Sequence, residues 1–459
     1  MSKGSYHFVG VGGIGMSAIA RILLARGEAV SGSDVKSTAL VDALRREGVR
    51  VSIGHDAANV DDAHTAVVSS AIDRRNPEYS AAQRRGIPVL HRGEMLAHLL
   101  RDRRGIAVCG THGKTTTTAM IHGVLRAGGV DAGLVLGGID ATLETNAHDG
   151  RSPWFVTEAD ESDGSFALLE PTIAVVTNIE NDHLSSDDEL PQLVRAFAEF
   201  LGKLPDDGTA IVGADNALSA SLAANDLRAR IATFGLRPDA GIHAANLRFD
   251  GLGAGFDAIS GDVGLGSVEL AVPGAMNVQN ALAAIAVGRL LEIPFARIAA
   301  ALRAFRGVRR RFDILARCER MVVVDDYAHH PTAVRATISA ARGYHRGPLY
   351  VAFQPHRYSR TAFLAQDFAR ALRDADRVYL LPVYAASEPA IPGVSERSIG
   401  EPLATLGTTV RYVGRSEDLA ARLFDETPAG AMVLVLGAGD VADVAARLAD
   451  RVARAAVGA

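Results

Sequence analysis

Four apolar residues, Ile106-Ala107-Val108-Cys109, run straight into Gly110-Thr111-His112-Gly113-Lys114-Thr115-Thr116, and a helical stretch follows from Thr115. A buried strand that turns through glycines into a helix commits this region to an open α/β sheet of mainly parallel strands. It also sets one end of that sheet aside for a ligand, because such sheets bind at the carboxyl ends of their strands. Backbone N–H groups in the loop converge on phosphate oxygens, and the helix start adds positive potential. Lys114 can neutralise β and γ phosphates, and Thr115 can place a hydroxyl on Mg²⁺. The general phosphate loop wants glycine five residues before Gly113, where Val108 stands, so this is a compressed variant. The chain has four lysines (Lys3, Lys36, Lys114 and Lys203) against many arginines, which gives a lysine in this loop a chemical rather than a compositional reading.

The same alternation of apolar run, polar turn and helix recurs on both sides. Before it, strands read at Tyr6–Val11, Ala29–Ser33, Arg50–Ile53, Ala66–Ser69 and Pro88–Leu90, with a helix over Met16–Arg26. After it come Trp154–Thr157, Ile173–Thr177 and Ala210–Gly213. Short strands with glycine-rich turns follow over 231–272, then helices over Val278–Leu291 and Phe295–Phe305. A last block has apolar runs at Met321–Val324, Leu349–Phe353, Val378–Leu381 and Met432–Leu436, separated by helices such as Thr361–Arg373. At 459 residues the chain is too long for one ordinary domain. The expected division is 1–102, 103–313 and 314–459, each block of α/β type.

A net charge of -5 argues against a general nucleic-acid binder but leaves room for an anionic small substrate. Two cysteines, Cys109 and Cys318, exclude a disulfide framework and a cysteine-rich zinc site. The first residues do not read as a signal peptide, and no apolar run is long enough for a membrane span. A cytoplasmic enzyme is expected.

Three further constellations carry chemistry. Glu158 follows the strand ending at Thr157, and His183 follows the one ending at Thr177, within Asn178-Ile179-Glu180-Asn181-Asp182-His183. Both sit at strand ends beside the phosphate loop, where Mg²⁺ would find its ligands. Asp160, Glu161 and Asp163 form an acidic loop that either is solvated or helps hold metal and substrate. The opening Gly10-Val11-Gly12-Gly13-Ile14-Gly15, with Asp34 further on, suits any diphosphate resting on a helix start and does not separate NAD, FAD and a UDP-sugar. Asp325-Asp326-Tyr327-Ala328-His329-His330-Pro331 and Gln354-Pro355-His356-Arg357-Tyr358-Ser359-Arg360-Thr361 each follow a strand, and Arg357 and Arg360 suit a carboxylate or phosphate. Arg309-Arg310-Arg311 reads as phosphate contacts or as a solvated hinge.

In these segments the sequence resembles the Mur ligase family. The carriers are GVGGIGMSAIA, GTHGKTTTTAMI, EADESDGSF, TNIENDHL, the Asn277/Asn280 segment, DDYAHHP and FQPHRYSRT, in order along nearly the whole chain. The resemblance implies a first domain that holds a UDP-sugar through Gly10, Gly12, Gly13, Ile14, Gly15, Asp34 and Ser70. It implies a middle ATPase domain and a third, Rossmann-like domain that closes over the site. Lys114 would contact phosphates, with Thr115, Glu158 and His183 on Mg²⁺. Asn280, with Asn277 nearby, would read adenine, while Arg310 and Asp326 would meet the nucleotide phosphates and ribose. His329, Arg357 and Arg360 would sit at the reacting carboxylate and the incoming amino acid, with His329 a candidate base.

The GVGGIG opening together with HHP and PHRYSRT resembles the family branch that joins L-alanine to UDP-N-acetylmuramic acid. The activity so implied proceeds by way of an acyl phosphate, with ATP and Mg²⁺, in cell-wall synthesis, in a monomer or weak homodimer. The alternative within the family is a recycling ligase adding a tripeptide to the same sugar nucleotide. Two departures stand out: Met276 where the family usually has His, and Ser185 where Asp is common. A family lysine that is carbamylated in some members has no counterpart here beyond Lys203.

Overall fold

The computed structural model describes residues 4–161, 164–181, 189–224, 227–414 and 418–457. His183, Asp163 and Ser185 lie outside them. The chain divides into two compact units. One comprises Met1–Ile179, Val194–His243 and Asn280–Ala301; the other comprises Glu180–Leu193, Ala244–Gln279 and Leu302–Ala459.

The first unit holds two sheets. Strands β1 (Ser5–Val9), β2 (Ala29–Asp34), β3 (Arg50–Ile53), β4 (Thr65–Val68) and β5 (Val89–His91) pair in the order β3-β2-β1-β4-β5, all parallel. The order reverses between β1 and β4, so the loops after these two strands flank one crevice at their carboxyl ends. Within this unit the second sheet runs β12-β11-β10-β6-β9-β7-β8, formed from β6 (Arg104–Cys109), β7 (Gly133–Asp140), β8 (Thr145–His148), β9 (Trp154–Glu158), β10 (Ile173–Val176), β11 (Thr209–Gly213) and β12 (Arg230–Gly235). Only β8 is antiparallel to its neighbour. β6 lies between β9 and β10, so the phosphate loop, Glu158 and Thr177-Asn178 emerge side by side.

The two sheets of this unit are joined by specific contacts. Asn146 on β8 donates to Ile14 O at 2.8 Å and to Ser17 Oγ at 2.9 Å, at the start of the helix Ile14–Ala25. Arg26 of the same segment pairs with Asp149 at 3.0 Å.

After β13 (Ile242–Asp250), the second unit contains β14 (Gly253–Ser260) and β15 (Val263–Leu270), an antiparallel pair longer than the short strands expected there. Its main sheet has the order β16-β17-β21-β18-β19-β20, from β16 (Asp313–Arg317), β17 (Met321–Asp326), β18 (Leu349–Phe353), β19 (Arg377–Leu380), β20 (Thr409–Tyr412) and β21 (Ala431–Leu436). β16 is antiparallel and the rest are parallel. Side chains alternate along β21: Met432, Leu434 and Leu436 pack with Val334, Ile338 and Phe368 of the helices on one face. Val433 and Val435 pack with Leu419, Leu423 and Leu448 on the other. Both faces are therefore covered, as a doubly wound sheet requires.

Two expected elements differ in detail. The helix over 361–373 is two helices, Tyr358–Phe363 and Ala365–Leu372, that meet at Leu364. The helix expected from Val278 begins at Ala275, so Asn277 lies inside its first turn and its side chain donates to Pro273 O at 2.7 Å.

Candidate active site

The phosphate loop is shaped by its glycines and braced by the strand beside it. Gly110 has φ +118, and a β-carbon there would lie 2.3 Å from Thr177 Oγ1. Gly113 has φ +84 and would clash with Asn280 Oδ1 at 2.6 Å. Neither position tolerates a side chain. Thr111 N donates to Asn178 O at 2.9 Å and His112 N to Asn178 Oδ1 at 2.9 Å, while Thr177 Oγ1 and Asn178 Nδ2 donate to His112 O at 2.6 and 3.0 Å. The helix Lys114–Ala127 starts directly after Gly113, with Thr115 and Thr116 buried in its first turn.

Lys114 Nζ donates to Gly110 O at 2.7 Å and to both Glu161 carboxylate oxygens at 2.9 and 3.1 Å. Burial by itself would lower its pKa; the adjoining Glu161 carboxylate outweighs this and holds it above the ordinary lysine value, so the ammonium stays charged. Thr115 Oγ1 donates to Glu158 Oε2 at 2.9 Å, and Gly137 N donates to the other oxygen of the same carboxylate. Asn280, buried, accepts from Thr117 Oγ1 at 3.0 Å and so stands directly beside the loop. One cluster thus joins a cation, a hydroxyl, a carboxylate and a helix start, which is the equipment for holding a metal-bound polyphosphate.

In the first sheet, Gly10 turns with φ +80 after β1. Gly12 N donates to Asp34 Oδ2 at 2.9 Å, and a β-carbon at Gly12 would come within 2.7 Å of that oxygen. Asp34 therefore fixes the loop itself. The helix Ile14–Ala25 opens from Gly13 with no acidic residue in its first turn. Ser70, exposed after β4, shares a 3.0 Å hydrogen bond with His91 Nε2, and His91 caps the helix Arg92–Leu100 together with Glu94. Below this loop Glu78 is fully buried and accepts from Ser33 Oγ and Asn59 Nδ2 at 2.6 Å each, with His7 Nε2 at 3.4 Å. Burial pushes its pKa up, but the hydrogen bonds from His7, Asn59 and Ser33 prevail and hold it at about 2.

The second unit gathers the remaining candidates around β17 and β18. Arg310, at φ +62, reaches Asp325 at 3.3 Å and Gly437 O at 2.8 Å, and its guanidinium lies 5.1 Å from the Tyr327 ring centre. Burial raises the Asp325 pKa, Arg310 opposes the rise and Asp326 and Asp313 add to it, leaving it at about 6. Asp326 accepts from Ala328 N at 2.8 Å, Phe312 N at 2.9 Å and Thr337 Oγ1 at 3.1 Å. It orders its own turn. His329 Nδ1 lies 2.9 Å from Tyr327 O. A carbonyl only accepts, so the hydrogen of this contact is on Nδ1, and in the uncharged tautomer Nε2 is the basic nitrogen. The His329 ring lies 5.6 Å from that of His356, which stacks on Tyr384 and lies 3.4 Å from Arg360 Nη1. Arg357, at φ +71, lies 4.0 Å from Glu388.

Three contributors were not anticipated from sequence: Thr177 and Asn178 as braces, and Glu161 as the partner of Lys114. Thr177 and Asn178 directly follow the apolar run of β10, and that position was the available signal.

Models of protein families match along this chain: the Mur ligase family catalytic domain over residues 5–104, the Mur ligase middle domain over 108–288, and the Mur ligase glutamate ligase domain over 310–439. A UDP-N-acetylmuramate--L-alanine ligase of Acidithiobacillus ferrooxidans is 45% identical over 96% of this chain and 96% of its own. The chain belongs to the Mur ligase family. Among solved structures, this Mur ligase is similar to the UDP-N-acetylmuramate-alanine ligase of Thermotoga maritima, with a TM-score of 0.85 and 30% identity, covering 98% of this chain and 100% of that one. The murein peptide ligase of Psychrobacter arcticus shares the fold, with a TM-score of 0.74 and 24% identity, covering 98% of each chain.

Proposed function

We propose that this Mur ligase joins L-alanine to the lactyl carboxylate of UDP-N-acetylmuramic acid, converting ATP to ADP and phosphate. The observation that carries this reading is the 45% identity with an L-alanine ligase over 96% of both chains. The phosphate loop and its charged lysine supply matching chemistry. A carboxylate and an amine do not condense unaided in water, so the carboxylate attacks the γ-phosphate, an acyl phosphate forms, and the amine displaces phosphate. Positioning and charge neutralisation dominate the first step. Lys114 provides a fixed cation on the transferring phosphate. Thr115 and Glu158 form an oxygen donor set that fits Mg²⁺, with His183 as the third residue, and the ion would add charge neutralisation there. Asn280 lies where the nucleotide approaches the loop. In the second step His329 Nε2 takes the proton from the alanine ammonium, and Arg357 and Arg360 hold carboxylates.

The UDP-sugar binds at Gly10, Gly12, Gly13, Ile14, Gly15, Asp34 and Ser70, within a first domain of residues 1–102; 103–313 and 314–459 form the other two. Among the described residues no helix is long and apolar enough to cross a membrane. The proposed reaction is placed in the cytoplasm, carried out by a monomer or weak homodimer.

The test is phosphate release from ATP with Mg²⁺, across a panel of L-amino acids and the cell-wall tripeptide, with and without UDP-N-acetylmuramic acid. Release should require the sugar nucleotide and L-alanine together, with a product heavier by one alanyl residue. Turnover with the tripeptide and not with alanine would overturn the substrate assignment.

A further inference from the structure

The Gly10–Gly15 loop has a helix start but no cation of its own, and a diphosphate carries more charge than a helix end neutralises. The structure brings a cation to it from elsewhere. Arg92 opens the helix Arg92–Leu100, whose cap, His91, bonds the sugar-nucleotide candidate Ser70 at 3.0 Å. A β-carbon at Gly15 would lie 3.7 Å from Arg92 Nη1, so this guanidinium stands over the first turn of the helix Ile14–Ala25. Its other nitrogen, Nη2, donates to Asp160 Oδ2 at 3.2 Å, and the side chain remains 23% exposed. The backbone beneath it is held in place: a β-carbon at Gly93 would meet Ser165 Cβ at 2.5 Å, so the helix start is pressed against the segment that carries Asp160 and Glu161.

We propose that Arg92 binds the diphosphate of the sugar nucleotide, supplying the positive charge that the Gly10–Gly15 loop lacks. This rests on the reading of the first domain as a UDP-sugar site. Nη1 is directed to the glycine loop while Nη2 stays on Asp160. The guanidinium is thus preorganised by a carboxylate on the segment that also holds Lys114 through Glu161, and one arginine stands between the two phosphate sites.

The inference is tested by titrating UDP and UMP into the full chain, as wild type, Arg92→Gln and Arg92→Lys, with ATP binding measured on the same samples as a check on the fold. In wild type UDP should bind more tightly than UMP. In Arg92→Gln the preference should fall by roughly tenfold or more, the range of a lost charge-assisted contact, while ATP affinity is kept and Arg92→Lys restores part of the preference. If UDP and UMP weaken in parallel, Arg92 only shapes the site and the proposal is wrong. It is equally overturned if Arg92→Gln leaves the UDP preference intact. If wild type binds no UDP, the first-domain reading itself falls and the proposal with it.

Discussion

Two loops of this molecule are built alike and are braced and charged differently. Gly10–Gly15 and Gly110–Lys114 each leave an inner strand of a parallel sheet, turn on a positive-φ glycine and feed a helix. The first is closed by its own backbone and one carboxylate, Asp34. The second is pinned from outside by Thr177 and Asn178 and carries its own buried lysine. The difference suits the chemistry proposed for each. A diphosphate that is only held tolerates a site in which charge is supplied at the rim. A phosphate that is transferred needs a cation fixed at the reacting oxygen, in a loop that does not relax as charge moves. Glycine pattern alone therefore does not say whether a phosphate loop binds or reacts; the bracing and the placement of charge do.

The largest effect should come from removing the charge that separates the loops. Lys114→Ala should lower kcat on the order of 10³-fold, the scale of a lost cation in phosphoryl transfer. UDP binding to the first domain should stay within about twofold of wild type, because no shared contact is lost. Steady-state rates and a UDP titration on the same protein check both. Retained ATP-dependent turnover would remove Lys114 from the mechanism.

A buried carboxylate supports the strand that ends beside the first loop. Glu78 lies beneath Ser33 and Asp34 and titrates at about 2 in the folded chain, against roughly 4.3 for a free glutamate. Its folded pKa is depressed, so its contribution is fully present above the unfolded pKa and disappears as pH falls through the folded one. The difference corresponds to roughly 3 kcal/mol at neutral pH. Glu78→Gln should therefore be less stable than wild type at pH 7, and the gap should close between about pH 4.5 and 2. Denaturant melts across that range decide it. A gap independent of pH would show that packing, not the carboxylate's charge, is what the substitution removes.

How far sequence reaches can be judged on the same two regions. Both loops were legible because strand, glycine turn and helix are consecutive in the chain. Several other strands were not, although β3 and β5, the edges of the first sheet, were. β7, an inner strand between β9 and β8, is obscured in the sequence by Gly133, Gly137 and Gly138, yet Gly133 is required where the Phe155 ring leaves 2.3 Å for a β-carbon. β8, β16 and β20 are edge strands, more polar or half-exposed, and lack the continuous apolar run that marks β6, β10 or β21. Residue types at the site were legible, but their partners were not. Lys114 meets Glu161 47 residues on, and Thr117 meets Asn280 163 residues on. No local spacing encodes such pairings; the order of strands in the sheet creates them. Asp34 and Asp326 show the reverse case. The resemblance implies a ligand for each, and the structure adds a bracing contact: Asp34 accepts from Gly12 N and Asp326 from Ala328 N.

A smaller effect is expected from the carboxylate that holds the charge of the reactive loop in reserve. With Glu161 on its ammonium, Lys114 is already neutralised where a phosphate would sit, so an incoming nucleotide must displace a carboxylate before it gains the lysine. Breaking a buried pair from one side leaves the other charge uncompensated, and Glu161→Gln should make the nucleotide-free protein less stable. The same substitution removes the competitor. ATP should then bind roughly three- to tenfold more tightly and raise the melting temperature by more than it does in wild type. Titration calorimetry and thermal melts with and without ATP give both numbers. Weaker ATP binding in Glu161→Gln would mean that the carboxylate belongs to the nucleotide or metal shell and not to a resting state of the lysine. The two loops would then differ in their ligands more than in how each stores its charge.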